Sequence, residues 1–205
     1  MSHVDGVSSG RPRDPNVDAA ILDTALRLFV EGGLGAVSFE QIAKQSGVSR
    51  AAIYRRWTSK EDLLAHSLSR LRALAEAPFA DWTARPMSEV MEWFIENVPR
   101  QMLNPFYRNL SRSMLALGDS SELKSAYCKM VLQPRRDAFS AMIRAARAAG
   151  ELQDGADPDL IQDMLSGALL HQVLIEPAGA SEADLREYVV RLLKGLGLLS
   201  SARSE

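Results

Sequence analysis

Apolar residues recur at helical spacing along nearly the whole chain, and this periodicity is the feature that most constrains the fold. Glycine, proline and serine interrupt it at intervals, and no stretch keeps the alternation of apolar and polar residues that is typical of a strand. Each amphipathic helix must bury its apolar face against another helix. The sequence therefore predicts an all-α protein.

Capping residues and glycines predict where the first helices begin and end. A helix cap accepts a hydrogen bond from a backbone N–H group that has no partner inside the helix. The expected caps are Asp14, Ser38, Ser49 and Ser59. Gly32-Gly33 should end the first helix and Gly47 the second, because glycine is common directly after a helix. The third helix is predicted to be short, covering residues 50–57.

Longer helices are predicted in the rest of the chain. They cover residues 86–102, 104–116, 121–149 with a kink at Pro134, 157–175 and 181–199. Residues 1–13 are expected to form a disordered basic arm. We expect residues 14–60 to form a small N-terminal domain and residues 61–205 to form a larger helical one.

Composition excludes several classes of protein. The single cysteine, Cys128, cannot form an intramolecular disulfide, and the histidines at positions 3, 66 and 171 lack the spacing of metal ligands. There is no Ser/His/Asp pattern, no phosphate-binding glycine loop, and no apolar run near the roughly 18 residues of a membrane span. We therefore expect a cytoplasmic protein with no enzymatic activity, metal, cofactor or membrane contact.

A short basic block stands out from the charge of the whole chain. The formal net charge is −2. Residues 41–60 nevertheless contain no Asp or Glu, and their basic residues are Lys44, Arg50, Arg55, Arg56 and Lys60. Such a local positive block favours contact with a polyanion. The alternative is a solvated basic face, beside which the serines only cap helices.

The basic block coincides with a helix-turn-helix pattern, in which two short helices flank a turn that contains Gly47. The second helix of such a motif normally enters the major groove of DNA. One arc of about 140° on this helix carries Arg50, Ala51, Tyr54 and Arg55. Ile53 and Trp57 lie on the other side and should face a core. Arginine can bond to guanine, alanine can touch a thymine methyl group, and tyrosine can reach a phosphate.

These considerations give a predicted set of DNA-binding residues. Ser38, Ser49 and Lys60 lie at or beside helix N-termini, where backbone N–H groups favour phosphate. The complete set is Ser38, Ser49, Arg50, Ala51, Tyr54, Arg55, Arg56 and Lys60.

Residues 18–64, DAAILDTALRLFVEGGLGAVSFEQIAKQSGVSRAAIYRRWTSKEDLL, closely resemble the DNA-binding domain of TetR/AcrR-family transcriptional regulators. The double glycine, the SGVS turn, the IYRRW helix and the SKEDLL segment occur in order at the family's spacing. GRPRDP, just upstream, resembles the basic arm of many members, so Arg11 and Arg13 would touch the minor groove or the DNA backbone. The later segment AAGELQDGADPDLIQDMLSGALLHQVLI resembles the regulatory end of one TetR subgroup.

The resemblance implies a homodimeric, ligand-responsive repressor that reads an inverted-repeat operator. It also implies that the last two helices of each subunit form a four-helix dimer interface. The residues assigned to this interface are Leu165, Ala168, Leu169, Leu185, Tyr188, Leu192 and Leu196. The alternative is that these apolar stripes face the core of their own subunit.

The resemblance further implies a pocket for a small-molecule effector among the middle helices, which are rich in methionine and aromatic residues. The residues assigned to it are Met102, Phe106, Tyr107, Met114, Tyr127, Met130 and His171. Alternatively these are core residues, and His171 is a core or interface histidine. The fourth helix, which is predicted to run from Lys60 to the body near Ala75, would carry the change from pocket to DNA. A helix-turn-helix activator or architectural protein without a ligand is the alternative function.

Overall fold

The computed structural model describes residues 14–76, 82–118, 121–153, 155, 157–175 and 179–199. Within these residues the secondary structure is helical and contains no strand, so the all-α prediction is confirmed. The helices are α1 (Pro15–Ala36), α2 (Phe39–Ser46), α3 (Arg50–Tyr54), α4 (Lys60–Glu76), α5 (Met87–Leu103), α6 (Pro105–Leu115), α7 (Glu122–Tyr127), α8 (Gln133–Ala148), α9 (Pro158–Leu174) and α10 (Glu182–Gly195). The predicted arm, with Arg11 and Arg13, lies outside the described residues.

The helix starts follow the predicted caps. The hydroxyl oxygens of Ser38, Ser49 and Ser59 each accept a hydrogen bond from the backbone N–H three residues later, at 3.2, 3.3 and 3.0 Å. Gly33 interrupts α1 with a φ of 68° and Gly47 ends α2 with a φ of 72°. Both values lie in the left-handed region, which glycine enters without the steric cost of a side chain.

Several helix boundaries differ from the sequence prediction. α1 continues past Gly33 to Ala36, although Gly32-Gly33 was expected to end it, and α10 ends at Gly195 instead of residue 199. The regular part of α3 ends at Tyr54, three residues earlier than expected, and a turn follows it. The predicted helix over 121–149 is divided by a π-helical turn at Cys128–Leu132, which ends two residues before Pro134. Proline has no N–H group, and its ring clashes with the carbonyl group four residues earlier, so the helix must be distorted at this point.

The buried apolar side chains form two clusters. The first core lies among α1, α2, α3, α4, α6 and α7, and includes Ile21, Phe29, Ile42, Ile53 and Leu63. The second core lies among α5, α8, α9 and α10, where Trp82, Phe94 and Phe139 meet edge to face.

The first core extends beyond the expected N-terminal domain of residues 14–60. Leu110 and Met114 of α6 and Leu123 of α7 are buried in it. The Ser113 hydroxyl of α6 also donates to the carbonyl oxygen of Phe29 in α1, at 3.0 Å. The helix-turn-helix therefore shares its packing with part of the C-terminal body.

Partly exposed ion pairs join neighbouring helices around the second core. Arg186 of α10 donates to both carboxylate oxygens of Glu96 in α5, and this hydrogen bonding lowers the pKa of Glu96. Arg136 of α8 pairs with Asp163 of α9 in the same way. Among the described helices, none combines the length and the apolar content that a membrane crossing needs.

Candidate nucleic-acid interface

The inner side of the α2–turn–α3 unit anchors it to the first core. Ile42 of α2 and Ile53 of α3 are completely buried, and Trp57 is 6% exposed. The sequence prediction that Ile53 and Trp57 face inward is therefore confirmed. Because the inner side is fixed at three points, the orientation of the outer side is fixed with it.

The outer side of the same unit is polar and exposed. It presents Ser38, Lys44, Ser49, Arg50, Ala51, Tyr54 and Arg55. Tyr54 is 55% exposed, and its ring packs edge to face on Phe39 with 4.8 Å between the ring centroids. The ring is supported from one side, so its hydroxyl can reach a surface that approaches α3. Lys44 belongs to the basic block of residues 41–60 but not to the predicted set of DNA-binding residues.

The two cap serines keep a free donor on this outer side. Each hydroxyl oxygen accepts a backbone N–H and thereby stabilises its helix. A hydroxyl group can donate one hydrogen bond while it accepts another. Ser38 and Ser49 can therefore cap their helices and also donate to a phosphate.

Arg56 is held inside the domain, although its neighbour Arg55 is exposed. Its Nε donates to the carboxylate of Asp18 in α1, and its Nη1 donates to the carbonyl oxygen of Ala52 at 2.9 Å. The regular part of α3 ends at Tyr54, and Arg56 lies in the turn that follows it. Arg56 was predicted to bind DNA, but in the structure its side chain is used for contacts within the domain.

Lys60 also has a partner within the protein. Its Nζ donates to the carbonyl oxygen of Leu34 at 3.0 Å, in the last turn of α1. The bond ties the start of α4 to this turn. Sequence spacing gave no indication of it, because the two residues are 26 positions apart.

The residues assigned to an effector pocket do not converge on one site. Met114 is buried in the first core, against which Phe106 and Tyr127 also pack, whereas Met102 is buried in the second core. Burial raises the pKa of Tyr127 above its usual value. Tyr107 and Met130 are half-buried, and His171 is exposed. Of the seven assigned residues, Met102 lines the cavity of about 120 Å³ between α5, α6, α9 and α10.

The residues assigned to a dimer interface also differ in their burial. Leu165 and Leu185 are buried in the second core, which corrects their assignment, and Leu169, Leu192 and Leu196 pack partly against it. The hydroxyl of Tyr188 donates to the carbonyl oxygen of Ala168 at 3.2 Å and so links α10 to α9. The large apolar side chains that α9 exposes are Leu160, Met164 and Leu170. Ile175, directly after α9, is also exposed. Helical spacing showed that α9 has apolar stripes, but it did not show which stripe faces the core.

Two family models match the chain. Residues 21–66 match the model described as bacterial regulatory proteins of the tetR family, and these residues contain the whole α2–turn–α3 unit. Residues 91–192 match the model described as the tetracyclin repressor-like C-terminal domain.

Curated relatives are similar over most of their length. The HTH-type transcriptional regulator AcrR of Shigella flexneri is 49% identical over 185 residues, which are 85% of this chain and 86% of that protein. The uncharacterized HTH-type transcriptional regulator YdeS of Bacillus subtilis is 27% identical over 196 residues, or 95% of this chain and 97% of that protein.

Solved structures share the fold. A complex of SmeT with triclosan superimposes with a TM-score of 0.71 at 20% identity and covers 93% of this chain and 97% of that chain. The transcriptional regulator FadR of Bacillus subtilis in complex with stearoyl-CoA has a TM-score of 0.71 at 19% identity. The match covers 87% of this chain and 97% of that chain.

Proposed function

The chain belongs to the TetR family of bacterial transcriptional regulators, and from this premise we propose that it is a homodimeric repressor that a small molecule releases from an inverted-repeat operator. The observation that carries the proposal is the two-sided α3. Its inner side is anchored by Ile53 and Trp57, and its outer side presents Arg50, Tyr54 and Arg55 to solvent. The protein would act on DNA in the cytoplasm.

The outer side of α3 supplies both kinds of DNA contact. Arg50 and Arg55 can each form two hydrogen bonds with the edge of a guanine, and Ala51 is small enough to meet a thymine methyl group. Tyr54, Ser38 and Ser49 donate to phosphates and set the position of α3 in the major groove. Lys44 adds a positive charge beside the DNA backbone, which strengthens binding to any sequence.

An exposed apolar stripe on α9 supports the homodimer. Leu160, Met164 and Ile175 fall within about 60° of arc, and His171 lies between them. A side-chain carbon added at Gly167 would meet no atom within 4 Å, so the helix surface there is open to a partner. Pairing α9 with its twofold copy would cover this stripe and place two α3 helices over successive major grooves, about 34–36 Å apart.

Release by a small molecule is supported by the ligands in related structures and by the packing of α6. SmeT and FadR, whose folds are similar, were solved with triclosan and with stearoyl-CoA. In this protein α4 runs from the helix-turn-helix toward the body, as expected, and α6 makes a second connection because it packs on α1. A ligand that shifts α6 would change the spacing of the two α3 helices.

The coupling between ligand and DNA must be reciprocal. A ligand that weakens operator binding has to bind more tightly to the conformation that cannot bind the operator, typically by about 1–3 kcal/mol. The operator must weaken ligand binding by the same factor.

The test is a gel-shift titration of the full-length protein on genomic DNA from beside its gene. Arg50→Ala and Arg55→Ala should each cost about 1–3 kcal/mol of operator binding and relax the sequence preference at one base pair. Arg112→Ala, an exposed position on α6, is the matched control and should bind like the wild type. Unchanged affinity in both α3 variants would contradict the proposal. Operator binding that no compound in a ligand screen releases would favour an activator or architectural protein.

A further inference from the structure

The cavity of about 120 Å³ beside α5, α6, α9 and α10 has a mixed lining. It lies where the end of α5 and the first turns of α6 meet the end of α9 and the residues leading into α10. The apolar side chains of Met102, Leu103, Val173 and Leu185 form one part of its wall. Two long polar side chains, Arg108 and Gln172, also line it, and none of the lining residues that the structure describes is an aspartate or glutamate.

Arg108 differs from the other half-buried arginines that the structure describes. Arg56 is bound to Asp18, Arg136 to Asp163 and Arg186 to Glu96, and Arg147 also has a partner. The guanidinium of Arg108 forms no hydrogen bond or ion pair with any described residue. Its nitrogen atoms are not among the buried, unpartnered side-chain atoms of the described residues, so they remain accessible from the cavity. A guanidinium group has five N–H donors, and those of Arg108 are available to a ligand.

We infer that this cavity binds a small organic monocarboxylate, whose carboxylate pairs with Arg108 and whose apolar part contacts Met102, Val173 and Leu185. The planar guanidinium matches a carboxylate with two parallel hydrogen bonds. The Gln172 amide can donate to the same oxygens. A volume of about 120 Å³ is below the 300–1,000 Å³ usual for drug-sized ligands, so the ligand is a short-chain acid.

The position of Arg108 gives the site a route to DNA. Arg108 lies on α6, and Leu110, Ser113 and Met114 of the same helix contact the first core. An acid that draws Arg108 toward α9 therefore moves the helix that packs on α1. This regulatory step rests on the proposed function, whereas the binding of the acid does not.

The binding test uses the full-length protein with sodium hexanoate as the probe and hexanamide, its neutral analogue, as the matched ligand. Isothermal titration calorimetry should detect hexanoate and not hexanamide. Arg108→Gln should weaken hexanoate binding by about tenfold to hundredfold, because a hydrogen-bonded charge pair is lost. Arg112→Gln, which removes an exposed arginine of the same helix, should bind hexanoate like the wild type.

A second variant keeps the test independent of Arg108. Ala180 is exposed at the cavity wall, so Ala180→Leu should partly fill the cavity and reduce hexanoate affinity while thermal melts stay like the wild type. Equal binding of hexanoate and hexanamide, unchanged binding by folded Arg108→Gln, or no binding up to roughly 10 mM would each overturn the inference.

Operator titrations on the same samples separate this inference from the proposed function. If the protein binds an operator but not hexanoate, the carboxylate site is refuted and the proposed DNA binding stands. If hexanoate binds in an Arg108-dependent way while no operator is bound, the site stands and the proposed function fails. Hexanoate that lowers operator affinity in the wild type, but not in Arg108→Gln, would support both.

Discussion

Arg55 and Arg56 are adjacent residues of the same type, yet their surroundings differ. Arg55 is exposed on the outer side of α3, whereas the side chain of Arg56 is 15% exposed and is held by Asp18. The Asp18 carboxylate thereby connects α1 to the turn that ends α3. We expect Arg55 to affect which sequences are bound and Asp18 to affect how firmly α3 is positioned.

Asp18→Asn should lower the free energy of unfolding by about 1–2 kcal/mol, because the charged acceptor for the half-buried Arg56 is lost. Operator affinity should fall by a similar factor for all sequences, without the relaxed preference expected for Arg55→Ala. Urea unfolding and gel-shift titration measure the two effects. Glu31→Gln, at an exposed position of α1, is the control and should change neither. Wild-type stability in Asp18→Asn would show that the pair does not hold α3.

Trp57→Ala should destabilise the protein by roughly 3–5 kcal/mol, since a large side chain that is 6% exposed leaves a cavity behind. Loss of DNA binding should then accompany loss of folding. Arg55→Ala is the contrasting variant, because it should weaken DNA binding with an unchanged melt. Thermal melts followed by circular dichroism, together with gel shifts, distinguish the two. A Trp57→Ala protein with a wild-type melt and no DNA binding would identify Trp57 as a DNA contact.

At the scale of the secondary-structure elements, α9 has two apolar faces with different surroundings. Ile161 and Leu165 are 4% and 2% exposed in the second core, whereas Leu160 and Met164, one position earlier in each case, are both 51% exposed. The inner face holds α9 to its own subunit. The outer face has no covering element among the described residues, and we propose that the second subunit covers it.

Met164→Arg should yield folded monomers, because a charge placed in the proposed α9 seam would lose its hydration without gaining a partner. Light scattering should give a mass near the chain mass of 22.5 kDa, in place of twice that value for the wild type. Leu115→Arg is the control: it changes an exposed apolar residue on a different helix, α6, and should remain dimeric. Leu165→Arg should unfold, since its side chain lies in the core. A dimeric Met164→Arg protein would move the interface away from this stripe.

At the scale of the whole molecule, the helix-turn-helix and the body are joined by shared packing. The first core takes side chains from α6 and α7 as well as from α1 to α4. This packing joins residues that are far apart in the sequence. Ser113 of α6 and Phe29 of α1, for example, are 84 positions apart. A change in the body can therefore reach α3 through α1 and through α4.

A fragment of residues 1–60 should be largely unfolded, because it lacks Leu63, Leu68, Leu110 and Leu123, which bury its apolar surface in the full chain. Circular dichroism should show little helix and no cooperative urea transition, whereas the full-length protein unfolds cooperatively. A cooperatively folded fragment with native helix content would show that residues 14–60 form an independent domain.

The sequence by itself determined the helices and the side of α3 that faces DNA in our proposal. Caps such as Ser38 and Ser49 and stops such as Gly47 act through bonds and backbone angles within a few residues, so local sequence is sufficient to predict them. The inward direction of Ile53 and Trp57 followed from the helical period alone. The division of the helix at Cys128–Leu132 was anticipated only as a kink at Pro134.

Only the tertiary structure decided which partners those helices have. The bonds of Arg56 to Asp18 and of Lys60 to Leu34 join residues 38 and 26 positions apart, and no local pattern encodes such pairs. The same holds for α9, where adjacent positions such as Met164 and Leu165 are both apolar and packing alone makes one exposed and one buried. Helical periodicity specifies the angle between side chains on one helix. Burial and charge pairing depend on which other helices pack against it, and that is a property of the whole fold.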